Sequence, residues 1–209
     1  MARLRSPQEA PRVQLKDVDG KLIVFGQGKR TLLTFYRDPA CPFCNLHLYR
    51  LTNQYGALER SGLRVVAVFA ASPDEVRRFI LARPRPFPVA AEPDHEAYQI
   101  YGIEASVTRK LLAVFRRPLQ WFRGMARVGL AASLKTLGGV GTSNTMPADF
   151  LIDEKGRIVE AYYGKDAGDH ISFERVDEFA NQASARSCQD MQANRLAIMG
   201  SGPPCERIR

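Results

Sequence analysis

Apolar positions along this chain fall into two kinds of run. Thr31 to Tyr36 (TLLTFY) and Leu63 to Ala70 (LRVVAVFA) are almost continuously apolar and rich in β-branched and aromatic residues. That is the pattern of strands covered on both faces. Between them, Leu48, Leu51, Tyr55 and Leu58 recur at helical spacing across Asn45 to Gly62, with the glycine as a stop signal. Strand, helix and strand in that order predict a βαβ unit with two central parallel strands. Upstream, Val13 to Phe25 (VQLKDVDGKLIVF) reads as a hairpin turning at Asp19-Gly20. Downstream, Ser72, Pro73 and Glu75 supply an N-cap, an N1 proline and an N3 glutamate, so a helix starts there and runs to about Arg83, where ARPRPFP ends it. Phe87 to Ala91 predicts a short strand, and Asp94 is placed to cap a helix through Tyr101. DFLID (Asp149 to Asp153) and RIVEAYY (Arg157 to Tyr163) flank a turn at Glu154-Lys155-Gly156 and form a second hairpin; Phe173 to Ala183 is a closing helix.

This order predicts an α/β fold: a three-layer α/β/α sandwich with a mixed sheet over residues 1–185. A helical insertion interrupts it at 105–145, and residues 186–209 read as a C-terminal tail. A chain of 209 residues buries a core without staples. Its four cysteines are too few for a disulfide scaffold, and Cys188 and Cys205 lie in the tail. The start, MARLRSPQEAP, lacks an apolar signal-peptide region, and no apolar run reaches membrane-spanning length. A cytoplasmic location is therefore expected, with peripheral membrane association left open by the insertion.

Candidate chemistry centres on Cys41-Pro42-Phe43-Cys44, at the junction of the first central strand with its helix. A cysteine at a helix mouth faces unpaired backbone N–H groups and the positive end of the helix dipole, and both favour thiolate over thiol. On this reading Cys41 is the more exposed, attacking thiol and Cys44 the buried, resolving one. Two other readings exist. The pair could be small apolar residues in a packed turn, or a zinc clamp, for which no second CxxC or close histidine pair supplies the remaining ligands. His47 could tune a thiol but reads as a partly exposed helix residue. Arg37 and Asp38 read as a solvated turn beside the loop. Lys165, Asp166, Asp169 and His170 in GKDAGDH read as capping and turn residues.

Four stretches, LKDVDGK, FYRDPACPFC, FPVAAEPDHEAYQIYGI and MPADFLIDEKGRIVEAYYG, occur in an order and spacing that resembles the thioredoxin superfamily from about Pro11 to Ala180. The similarity is specifically to the alkyl hydroperoxide reductase/thiol-specific antioxidant branch, which contains the peroxiredoxins. The resemblance implies a thioredoxin-like fold and thiol-dependent redox chemistry. Peroxiredoxins carry PxxxTxxC and a remote arginine. Aligned on that pattern, this chain has Cys44 at the peroxidatic position, Cys41 in place of the threonine, Arg37 in place of the proline and Pro147 in place of the arginine. Thioredoxin-type oxidoreductases match better: CxxC precedes a helix and a cis-proline faces it, a place that Met146-Pro147 would take. Cys41, Cys44 and Pro147 are thus the expected catalytic residues, with no cofactor. The implied activity is exchange of a Cys41–Cys44 dithiol with a disulfide substrate, using a thiol reductant such as thioredoxin or glutathione. The alternatives are a peroxidase, with Cys44 attacking a hydroperoxide and Cys41 resolving, and a non-enzymatic redox-sensing or membrane-surface protein.

Charge adds one further element. The formal net charge is +8, and Ala105 to Thr145 supplies +7 of it: Arg109, Lys110, Arg116, Arg117, Arg123, Arg127 and Lys135, with no acidic residue. The segment reads as two helices broken at Pro118. In the second, Leu119, Phe122 and Met125 share one side, with Arg116, Gln120, Arg123 and Arg127 along the other. Three roles fit this pattern: a flap over the redox site or a homodimer surface, a contact with anionic lipid, and nucleic-acid binding, for which no recognition motif is present.

Overall fold

Two strands without a polar face need cover on both sides, and the fold provides it. The computed structural model describes residues 2–26, 28–137 and 144–182. Its strands are β1 (Gln8–Glu9), β2 (Leu15–Lys16), β3 (Leu22–Ile23), β4 (Thr31–Tyr36), β5 (Arg64–Phe69), β6 (Val89–Ala91), β7 (Ala148–Ile152) and β8 (Arg157–Tyr163). Its helices are α1 (Pro42–Arg60), α2 (Pro73–Phe79), α3 (Glu96–Ile100), α4 (Val107–Arg116), α5 (Pro118–Val128), α6 (Leu130–Leu137) and α7 over 173–182.

The middle layer is a mixed sheet in the order β1-β8-β7-β4-β5-β6. As predicted, β4 and β5 are central and parallel, and β7 and β8 are an antiparallel hairpin. On one face Leu32, Tyr36, Val65, Ala67 and Phe69 pack against α1, α2 and α7. On the other, Leu33, Phe35, Val66, Val68 and Phe150 pack against Tyr98, Tyr101 and the β2–β3 hairpin. The pairing of β1 with β8 escaped the sequence reading because two residues carry no periodicity. The capping box at Ser72 and Glu75 forms, though α2 stops at Phe79 rather than near Arg83. His95, at a positive φ of 58°, occupies the N-cap of α3 where Asp94 was expected. The tail, with Cys188 and Cys205, lies outside the described residues.

The insertion forms three helices rather than two. Pro118 opens α5, and Gly129, at φ 88°, ends it. Trp121 and Gly124 face the body of the protein, whereas Leu119 is 60% and Phe122 57% exposed. Gly124 decides this orientation: a Cβ there would lie 2.1 Å from the Pro42 carbonyl oxygen, so only glycine lets α5 come this close to the first turn of α1. Arg117 then fastens the junction of α4 and α5 to the loop after β8, through Asp166 at 3.3 Å and Asp169 at 3.0 Å. The GKDAGDH segment thus makes the predicted turn and also latches the insertion.

The close approach predicts the behaviour of Gly124→Val. The branched side chain forces α5 away from Pro42, at a cost of about 1–3 kcal/mol. Trp121, the one tryptophan of the chain, is buried under α5, so its fluorescence emission should shift to the red in this variant. Unchanged emission and thermal stability would show that α5 is not seated on α1.

Candidate active site

The CPFC turn grows out of the end of β4. Asp38 folds the connecting loop: its carboxylate accepts the Ala40 amide at 2.7 Å and its carbonyl accepts the Cys41 amide at 3.0 Å. Asn45 closes the loop from the other side, donating to the Pro39 and Cys41 carbonyls. Cys41 is the N-cap of α1 and Pro42 its first helical residue, where a missing N–H costs nothing. The helix therefore begins three residues earlier than its apolar spacing indicated.

Both cysteines are free thiols, and both are fully buried. This corrects the expectation that Cys41 is exposed: α5 and Trp121 cover the turn that periodicity alone leaves open. Arg37 is also buried rather than solvated, and it donates a hydrogen bond from a terminal guanidinium nitrogen to Cys41 Sγ at 3.1 Å. Burial alone would push the Cys41 thiol up. The hydrogen bond from the Cys44 thiol, the Arg37 charge and the Cys44 backbone N–H outweigh it and bring the thiol down to about 6. Cys44 moves the opposite way: burial, then the hydrogen bond and negative charge of Cys41, hold its thiol well above the ordinary range. One sulfur is thus shifted toward thiolate and its neighbour keeps its proton.

Lys110 from α4 is also buried and contributes a second positive charge that acts on Arg37, Asp38 and Cys41, while its amino group donates to Asn144 Oδ1 at 3.0 Å. Nothing in the local pattern of RKLLAVF distinguishes it from a solvated lysine. Arg37 could have been suspected, since it stands four residues before Cys41 and ahead of a tight loop.

A second buried polar group lies one helical turn beyond Cys44. Asp149 accepts from Thr34 and the Ile171 amide, and both its oxygens lie 3.1 Å from His170 Nδ1. The His170 ring stacks on His47 with centroids 3.9 Å apart, and His47 Nδ1 shares a 2.8 Å hydrogen bond with the Tyr36 hydroxyl. Burial, with His170 alongside, keeps the His47 pKa well below its usual value. For Asp149 burial is overcome by the charge and hydrogen bond of His170, and its carboxyl stays below the usual carboxylate range. His47 and His170 stand far apart in the sequence, and only the fold brings α1 and the loop before α7 together.

Pro147 precedes β7, and its carbonyl accepts the Gly164 amide at 2.9 Å. Its peptide bond with Met146 is trans, not cis as expected; among the described residues the cis bond is Ser6–Pro7. The two ends of the insertion pair just before it: Ser106 donates to the Asn144 carbonyl and Met146 to the Glu104 carbonyl, each at 2.8 Å.

Comparison with known proteins agrees with this architecture. The AhpC/TSA family model matches residues 7–161. A Mycobacterium tuberculosis protein provisionally described as a peroxiredoxin is 24% identical over 84% of this chain and 95% of its own length. The thiol-disulfide oxidoreductase ResA of Halalkalibacterium halodurans is 27% identical over 52% of this chain and 62% of its own. The crystal structure of peroxidoxin BcpB from Mycobacterium tuberculosis superposes with a TM-score of 0.60 at 11% identity, covering 88% of this chain and 98% of that one. With a thioredoxin-like sandwich and a paired dithiol at its strand-to-helix junction, the chain belongs to the AhpC/TSA family and is a thiol-dependent oxidoreductase.

Proposed function

We propose that the protein exchanges its Cys41–Cys44 dithiol with a disulfide substrate, Cys41 attacking and Cys44 resolving. The observation that carries this reading is the opposed pair of thiol shifts beside Arg37. The Cys41 thiolate attacks one sulfur of the substrate, forming a mixed disulfide and expelling the other substrate sulfur as a thiolate. Cys44 then loses its proton and attacks Cys41 Sγ, releasing the second substrate thiolate and leaving the Cys41–Cys44 disulfide. The substrate is reduced by two electrons and the protein oxidised; an external thiol reductant of the thioredoxin or glutathione kind restores the dithiol. Neutralisation of Cys41 on attack leaves Cys44 without the adjacent negative charge, so the resolving thiol becomes easier to ionise once it is needed.

Because Cys41 is buried, α5 has to move before a substrate disulfide reaches it. Arg37 and Lys110 suit a substrate with negative charge near its disulfide. A reducing cytoplasm is the compartment in which this cycle is sustained. A peroxidase led by Cys44 fits the family equally well, but it would require the sulfur held protonated to be the nucleophile. For Pro147 the trans bond withholds the backbone presentation that a cis-proline would give a substrate.

Two measurements test this assignment, both on protein in which Cys188 and Cys205 are replaced by serine. Alkylation of the reduced protein should consume Cys41 first, with a rate that rises through a midpoint near pH 6 as the thiol ionises. Arg37→Met should raise that midpoint by about one unit or more, since it removes an adjacent opposite charge. A midpoint near that of an ordinary thiol in both proteins would defeat the nucleophile assignment. Peroxide consumption separates the two enzymes: Cys41→Ser protein, which keeps Cys44, should react with hydrogen peroxide no faster than a free thiol. Rapid consumption by that variant would transfer the chemistry to a peroxidase.

A further inference from the structure

Helices α4, α5 and α6 bury one side each and leave the other apolar. Phe115 is 83% exposed, Leu119 60%, Phe122 57%, Leu130 58% and Leu134 51%. Isolated exposed hydrophobic residues are ordinary. These are not isolated: Leu119 and Phe122 are one turn apart on α5, Leu130 and Leu134 one turn apart on α6, and α5 packs against both α4 and α6. The charged residues that these three helices carry have one sign. Arg116 and Arg123 are exposed beside Phe115 and Phe122, and neither is in an ion pair among the described residues. Arg127 continues the charge onto the body of the protein, where with Arg78, Arg83 and Arg85 it lines a groove of about 240 Å³ whose walls carry no carboxylate.

The choice of occupant follows from these charges. A second copy docked through the same patch by two-fold symmetry would bring the unpaired arginines of both copies into one apolar interface. An anionic lipid surface offers the complement of both features: acyl chains for the aromatic and leucine side chains, and phosphates for the arginines. We infer that α4, α5 and α6 form a docking face for an anionic membrane surface, with Phe115, Leu119 and Phe122 entering the acyl boundary and Arg116 and Arg123 at the phosphates. The opposite side of α5 buries Trp121 in the core and seats Gly124 against Pro42. The dithiol then lies about one helix diameter, roughly 10 Å, from the bilayer. No described helix is long and apolar enough to cross the membrane, so the contact is peripheral. The inference stands on the exposed face alone and does not depend on which disulfide or peroxide the dithiol reduces.

The test is co-sedimentation of the full chain with vesicles of phosphatidylcholine and phosphatidylglycerol, against phosphatidylcholine alone. Binding to the anionic vesicles that weakens with salt is expected. Joint replacement Phe115→Ser and Leu119→Ser should lower the partition coefficient at least tenfold, while far-ultraviolet circular dichroism and Cys41 alkylation stay unchanged. Arg116→Glu with Arg123→Glu should lower it by a comparable factor, since each basic contact at an anionic surface carries about fivefold. Absence of binding to anionic vesicles overturns the inference. So does binding unaffected by the serine pair, which would leave only diffuse charge attraction, and so does a dimer in sedimentation equilibrium that the serine pair dissociates, which would assign the face to a second copy.

Discussion

Helix α5 meets the first turn of α1 at a point where there is no room for a side chain. Gly124 sits against the Pro42 carbonyl, and the contact joins the insertion to the part of the fold that carries the two cysteines. Much follows from it. Trp121 becomes a buried residue, Cys41 is closed off from solvent, and the side of α5 bearing Leu119 and Phe122 turns outward. Arg117, held by Asp166 and Asp169, fixes the same arrangement from the far end of the helix.

Closing the site makes its electrostatics stronger, because charges act further in a medium that water has left. Buried thiols would ordinarily both stay protonated. Here Arg37 donates a hydrogen bond to the Cys41 sulfur, and Cys44 gives its own thiol hydrogen bond to Cys41. Two chemically identical side chains three residues apart are thereby given opposite acidities. The helix terminus adds to the asymmetry, since the Cys44 amide N–H points at the Cys41 sulfur. Lys110 reaches the same region from the insertion, so the lid also supplies charge to the site it covers.

The polar group built from Thr34, Asp149, His170, His47 and Tyr36 shows how the layers are held together. A buried carboxylate needs several donors, and Asp149 finds them on β4, on the loop before α7 and in an imidazole. The stacked histidines then join that loop to α1 just beyond the dithiol. The helix that presents the cysteines is held to the sheet by apolar packing and by this directional contact.

Apolar periodicity was enough to determine the sheet and helix alphabet: β4, β5, β8 and the β2–β3 hairpin appear where TLLTFY, LRVVAVF, RIVEAYY and the Asp19-Gly20 turn place them. The spacing of Cys41 and Cys44, with proline between, also placed the pair at a helix mouth, because a strand-to-helix junction is a local property. Burial, partnership and orientation were not local. Arg37, on the loop after β4, and Lys110, on the insertion, look like solvated cations in the sequence, and the folded chain buries both. The sequence alone determined that two cysteines share one helix mouth. Only the tertiary structure, by excluding water and setting a cation beside one sulfur, decided how the acidities of the two thiols differ.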